Sequence, residues 1–147
     1  MRLEGNVTIH AAREKVFDFL IDAESISACV PGLDTMEIIE PNKKFHAQAQ
    51  VGLGTVKVKF DVDIEWVELD RPNRALMKGH GTAPGSAGDV TAEITLLDGP
   101  DGSTEINWWA DVTIAGTIAS LASRLMKPVS KKMTKTFFDC FAKQIET

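Results

Sequence analysis

The residues of this chain best suited to nucleophilic, acid–base or metal chemistry are three histidines, His10, His46 and His80, and two cysteines, Cys29 and Cys140. The histidines stand singly, and the cysteines form neither a Cys-x-x-Cys pair nor a Cys/His ligand set, so no metal centre or activated nucleophile is expected. His80 draws the most interest because Gly79 and Gly81 flank it in a strand-like stretch, where its ring could point to the interior or to solvent. The glycines of residues 79–88 superficially resemble a phosphate loop, but Gly-Lys-Ser/Thr is missing and a strand follows, which excludes a nucleotide site of that kind. Asp61, Asp63 and Glu65 alternate on the polar side of their strand. Asp89, Glu93 and Asp111 have the opposite parity to the apolar Val90, Ile94 and Val112, so none is assigned an acid–base role. Far apart in sequence, Cys29 and Cys140 are expected as buried free thiols of a reducing compartment, a disulfide being the alternative.

The elements that must position these residues follow from length and pattern. At 147 residues the chain suits one domain spanning 1–147, and 44% hydrophobic with 25% charged residues is the balance of a folded globular protein, which excludes disorder. A net charge of −5 argues against nucleic acid as a partner. No apolar run reaches the roughly 18–20 residues of a membrane span, and the opening Met1-Arg2-Leu3-Glu4-Gly5 lacks a secretion signal's apolar stretch, so a cytoplasmic location is expected.

Residues 2–10 read as a strand. Val16, Phe17, Leu20 and Ile21 then form one face of a short helix over 12–21, and a second helical turn or two fits 24–29 before Val30-Pro31-Gly32 breaks it. Beyond that corner the period changes to two: 33–40, 44–51, 55–69, 74–81, 85–97 and 103–114 read as consecutive strands joined by Pro- and Gly-containing turns. From 117 to 145, Ile118, Leu121, Leu125, Val129, Met133, Phe137 and Phe141 return to helical spacing, with Pro128 expected to kink the helix. These readings give an α+β fold: an antiparallel sheet of about seven strands wrapped around a long C-terminal helix, with two short helices after the first strand.

Ala47, Ala49, Gly79, Gly81, Ala92 and Ala110 are small residues at inward positions, so the sheet and helix should leave space for a ligand unless those residues merely bend the sheet. Strand parity and helix period place Phe60, Val62, Ile64, Trp66, Ile94, Trp108, Leu121, Leu125, Val129 and Met133 around that space. Trp109, on the other face from Trp108, is expected partly exposed as a possible partner or membrane contact. Arg124, Lys127, Lys131 and Lys135 step by three, four and four into one basic stripe. Residues 117–147 carry +4 and residues 1–116 carry −9, so this stripe is either a solvated helix face or a contact for an anionic surface.

Leu3-Glu4-Gly5-Asn6-Val7-Thr8-Ile9, the Glu14-Lys15-Val16-Phe17 helix, the Ala28-Cys29-Val30-Pro31-Gly32-Leu33 corner, Gly79-His80-Gly81 and Ala119-Ser120-Leu121-Ala122-Ser123-Arg124-Leu125 resemble the carbon monoxide dehydrogenase G-subunit family. The resemblance covers essentially the whole chain and implies the START-like helix-grip fold around an apolar cavity. It implies an accessory protein that helps attach a molybdenum-containing carbon monoxide dehydrogenase or related hydroxylase to the inner membrane surface. The expected function is therefore non-catalytic binding of a lipid, isoprenoid or quinone-like molecule, with no cofactor or metal and with peripheral contact to an anionic membrane. The alternative is a cyclase, hydratase or hydrolase using polar residues inside the cavity, such as His80 with Asp89 or Glu93.

Overall fold

The computed structural model describes residues 1–146. Strand β1 (Arg2–Ile9) leads into helices α1 (Arg13–Ile21) and α2 (Ala23–Ser27). Strands β2 (Leu33–Glu40), β3 (Lys44–Leu53), β4 (Val56–Asp70), β5 (Arg74–Ala83), β6 (Ser86–Asp98) and β7 (Thr104–Gly116) follow, and helix α3 (Ala119–Ile145) ends the chain. The strands form one antiparallel sheet in the order β1-β7-β6-β5-β4-β3-β2. Only the β1–β7 pairing joins strands distant in sequence; the rest is the meander expected from the alternating pattern.

Side-chain alternation gives the sheet two unlike faces. On the inner face Trp66, Met77, Ala92, Ala110 and Leu3 stand in one row across β4, β5, β6, β7 and β1. The neighbouring row holds Ile64, Gly79, Val90 and Val112. The outer face is polar. There His46, Asp63, His80 and Asp89 occupy one level across four adjacent strands.

Helix α1 forms because Val16, Phe17 and Leu20 share one buried face, and Asp22 caps α2 by accepting the Glu24 backbone N–H at 3.3 Å. Gly32 turns the following corner with φ +78°; an added Cβ would lie 2.1 Å from the Gln50 carbonyl oxygen, so only glycine fits there. Helix α3 runs through Pro128 as one element of 27 residues, about 40 Å long, with no amide at Pro128 to bond the Arg124 carbonyl.

The core is divided. One cluster gathers Phe17, Leu20, Phe45, Trp66, Leu96, Ile106, Phe141 and Ile145 between the sheet, α1 and the C-terminal half of α3. Within it, Phe141 is fully buried and meets Phe19 edge-on at 4.8 Å between ring centres. A smaller cluster of Leu53, Val58 and Ala122 sits under the N-terminal half of the helix.

The cysteines are not the free thiols expected. Cys29, buried at the Cys-Val-Pro-Gly corner, forms a disulfide with Cys140 of α3 across a separation of 111 residues. The corner and the helix meet through the fold of everything between them, a proximity that cysteine spacing does not encode.

Candidate ligand-binding site

Between the two core clusters lies a stretch of inner face that neither cluster includes. Val62, Val90, Ala92, Trp108, Ala110 and Val112 have inward register but pack against neither cluster, and each is only half-buried. The backbone of α3 makes its main approaches to β1 and β7 on one side and to β3 on the other, standing off from the middle of the sheet. The Val90 side chain takes up the room left by Gly79, where a Cβ would lie 2.9 Å from it, and two small residues meet where Ala92 pairs with Ala110.

Two grooves open at the surface along the helix. On the β1 side a groove of about 610 Å³ is walled by Leu3, Gly5, Val7 and Trp108 and rimmed by Lys127, Lys131, Lys135 and Phe138. Its size falls within the range of small-molecule sites. Gly5 lets the Trp108 ring lie close at that wall, since a Cβ would stand 3.0 Å from the ring and push it aside. On the opposite side a groove of about 290 Å³ lies between the Pro31-Gly32 corner, Val51, Val129 and Met133. The disulfide therefore ties α3 to the corner that borders this second groove.

The residues expected around the space divide by position. Val62 packs against neither core cluster, and Trp108 lines the larger groove. Met133 and Val129 border the smaller groove. Phe60, Leu121, Leu125 and Val129 pack on the smaller cluster. Ile64 and Ile94 lean on the larger cluster, and Trp66 is buried within it. Leu3 and Gly5 escape the sequence reading because their place depends on β1 reaching β7 across the length of the chain. Lys127, Lys131 and Lys135 line the larger groove, Lys135 being paired with Asp139 at 2.7 Å, whereas Arg124 continues the stripe outside it.

Every histidine–carboxylate pair among the described residues lies outside the sheet. His80 and Asp89 do meet, sharing a hydrogen bond of 2.7 Å, but on the exposed face and not in the hollow. His46 shares a 2.7 Å hydrogen bond with Asp63, which raises its pKa above the ordinary imidazole value, and Asp61 lies 3.4 Å away. Arg74 donates to Glu93 at 2.6 Å and holds the Glu93 carboxyl below the usual carboxylate range. Trp109 is less available than its outward parity suggested. Its indole N–H donates to Glu93 at 3.2 Å, and the Arg2 guanidinium covers its ring at 4.5 Å. A recess of about 570 Å³ on this face is lined by exposed charges, including Lys44, Asp63, Lys78 and Asp89. Water screens such a site and leaves it poorly suited to acid–base chemistry.

Comparison with known proteins agrees with this fold. A family model for the carbon monoxide dehydrogenase G-subunit (CoxG) matches residues 5–146. No curated protein matches the chain in sequence. Among solved structures, a conserved protein from Geobacillus kaustophilus superposes with a TM-score of 0.90 at 24% identity, covering 99% of this chain and 95% of that one. A START superfamily protein from Mycobacterium smegmatis gives 0.74 at 11% identity, with 99% and 97% coverage. The Zhui aromatase/cyclase from Streptomyces sp. R1128 gives 0.74 at 16% identity, with 99% and 93% coverage. At these identities the likeness is one of fold, the START-like helix-grip architecture, which serves binding proteins and enzymes alike.

Proposed function

The chain belongs to the carbon monoxide dehydrogenase G-subunit (CoxG) family, and from that premise we propose that it is a non-catalytic accessory protein holding an apolar molecule between its sheet and α3. The observation that carries this reading is the divided core, which leaves apolar inner-face residues half-buried beside a groove of about 610 Å³. A folded protein gains by covering such surface, at roughly 25 cal/mol per Å² of apolar area removed from water, before the costs of association. A lipid, isoprenoid or quinone supplies the required area on a slender body.

The basic stripe gives the ligand a route. Lys127, Lys131 and Lys135 rim the larger groove, so contact with an anionic membrane would set that groove against the lipid from which an apolar ligand would come. No helix among the described residues is long and apolar enough to cross a membrane, so contact by α3 would be peripheral. A molybdenum-containing carbon monoxide dehydrogenase or related hydroxylase is the partner implied by the family. The aromatase/cyclase of the same fold does not favour an enzymatic reading here, because the histidine–carboxylate pairs of this chain face away from the hollow.

Mass spectrometry of an organic extract of protein purified without detergent tests the reading. A lipid, isoprenoid or quinone present in near-stoichiometric amount is the expected result. Repeated extraction of nothing from protein produced in cells containing such molecules would contradict it.

A further inference from the structure

The sheet has two free edges, and they are built differently. Strand β2 is interrupted by register shifts between Leu33 and Thr35 and between Ile38 and Glu40, irregularities of the kind that hinder pairing with another strand. Strand β1 pairs with β7 without a break over all eight of its residues, so its other side is a regular strand edge. Met1 and Val112 exchange both backbone hydrogen bonds, at 2.9 and 2.8 Å. Such pairs alternate along an antiparallel ladder. Leu3, Gly5 and Val7 therefore bond to β7, and the N–H and C=O groups of Arg2, Glu4, Asn6 and Thr8 point away from it. No loop, turn or helix takes up these groups among the described residues.

This edge forms one wall of the larger groove. Arg2, Glu4 and Asn6 all border it, yet the Arg2 side chain is engaged by Asp111 and Trp109 on the outer face, and Glu4 and Asn6 share that parity. The edge meets the groove with its main chain. The facing wall is one side of α3, carrying Lys127, Lys131 and Phe138, and Trp108 adds apolar surface. Lys135 is held by Asp139, the groove's other acid besides Glu4, whereas Lys127 and Lys131 have no ion-pair partner among the described residues. An unpaired strand edge opposite a helix suits an extended peptide, which gains affinity from main-chain bonds and specificity from alternate side chains.

We propose that the β1 edge is a docking site for an acidic, extended segment of a partner protein, which adds to the sheet as a further strand and sets its carboxylates against Lys127 and Lys131. A lipid has no repeat of donors and acceptors to match the edge. A second copy of this chain would bring its own basic α3 beside the first, and like charges oppose that pairing. The site goes beyond the apolar-ligand reading and does not depend on it.

The probe is the acetylated, amidated heptapeptide Glu-Val-Asp-Leu-Glu-Val-Asp, whose acids share one face and whose length follows the roughly 20 Å from Arg2 to Thr8. Amide hydrogen exchange in the whole 15N-labelled protein is the readout. Saturating peptide is expected to slow exchange at Glu4 and Asn6 by about 10-fold or more. The K127Q/K131Q double variant is expected to weaken binding by about 3- to 10-fold. Glu4→Pro removes an edge donor and puts its ring in the path of an added strand without touching the β1–β7 bonds, so binding should fall by about 10-fold. Should E4P fail to fold, two peptides N-methylated at alternate amides in opposite phases decide the matter, one phase losing binding and the other keeping it. Peptide binding with unchanged exchange at Glu4 and Asn6, or equal binding by the two methylated forms, would reduce the contact to charge attraction and overturn the proposal. Absence of binding at millimolar peptide would overturn it too. Protection of the same amides in the protein alone, growing with protein concentration, would assign the edge to a second copy and likewise overturn it.

Discussion

Reducing the Cys29–Cys140 bond, or replacing Cys140 by serine, is expected to lower the unfolding free energy by about 4 kcal/mol, because the bond closes a loop of roughly a hundred residues in the unfolded chain. The effect is large because the cross-link spans nearly the whole sheet. Cys29 lies at the corner that starts β2, Cys140 lies on α3 beside the fully buried Phe141, and every residue from β2 to β7 falls between them. Urea unfolding of oxidised and reduced protein measures the difference, and coincident midpoints would contradict it. A steeper denaturant dependence is also expected after reduction, since the freed chain exposes more surface when unfolded. Neither cysteine belongs to the larger core cluster, so a folded but less stable protein is expected on reduction.

Exchanging Arg124, Lys127, Lys131 and Lys135 for glutamine is expected to weaken binding to anionic vesicles by about 100- to 1000-fold. Each basic residue near such a surface contributes on the order of 1 kcal/mol, and Lys135 contributes less because Asp139 already holds it. All four are exposed on α3, so the change should leave the fold intact. Co-sedimentation with vesicles of increasing anionic content, at low and high salt, separates this expectation from an ordinary solvated helix face. Binding that ignores anionic lipid, salt and all four substitutions would exclude the membrane role.

Much of the architecture was legible because alternation is a local property. The run from Val56 to Trp66 identifies an inner and an outer face without knowledge of its neighbours, and the register places both as read. The irregularity after Trp66 ends that correspondence, since Glu68 then pairs with Leu76 and Leu69 with the buried Ala75. Parity identifies which side chains face α3 but carries no information about the distance between helix and sheet. That distance decides that Trp66 and Phe60 pack with core clusters while Val62 and Ala92 join neither. The groove wall of Leu3 and Gly5, the disulfide and the His46-Asp63-His80-Asp89 level depend on pairings between remote segments, and no local spacing encodes them. His80 illustrates the limit: its glycine neighbours left both faces open, and the register puts its ring on the outer one.

The most direct measurement of the central claim is the unfolding free energy of the ligand-free Ala92→Leu and Ala110→Leu proteins, two cross-strand neighbours on the floor of the hollow. Added methylenes entering unfilled apolar space should leave the stability within about 0.5 kcal/mol of wild type, or raise it. A loss of about 1–3 kcal/mol at both positions, the signature of an overpacked interior, would contradict the account.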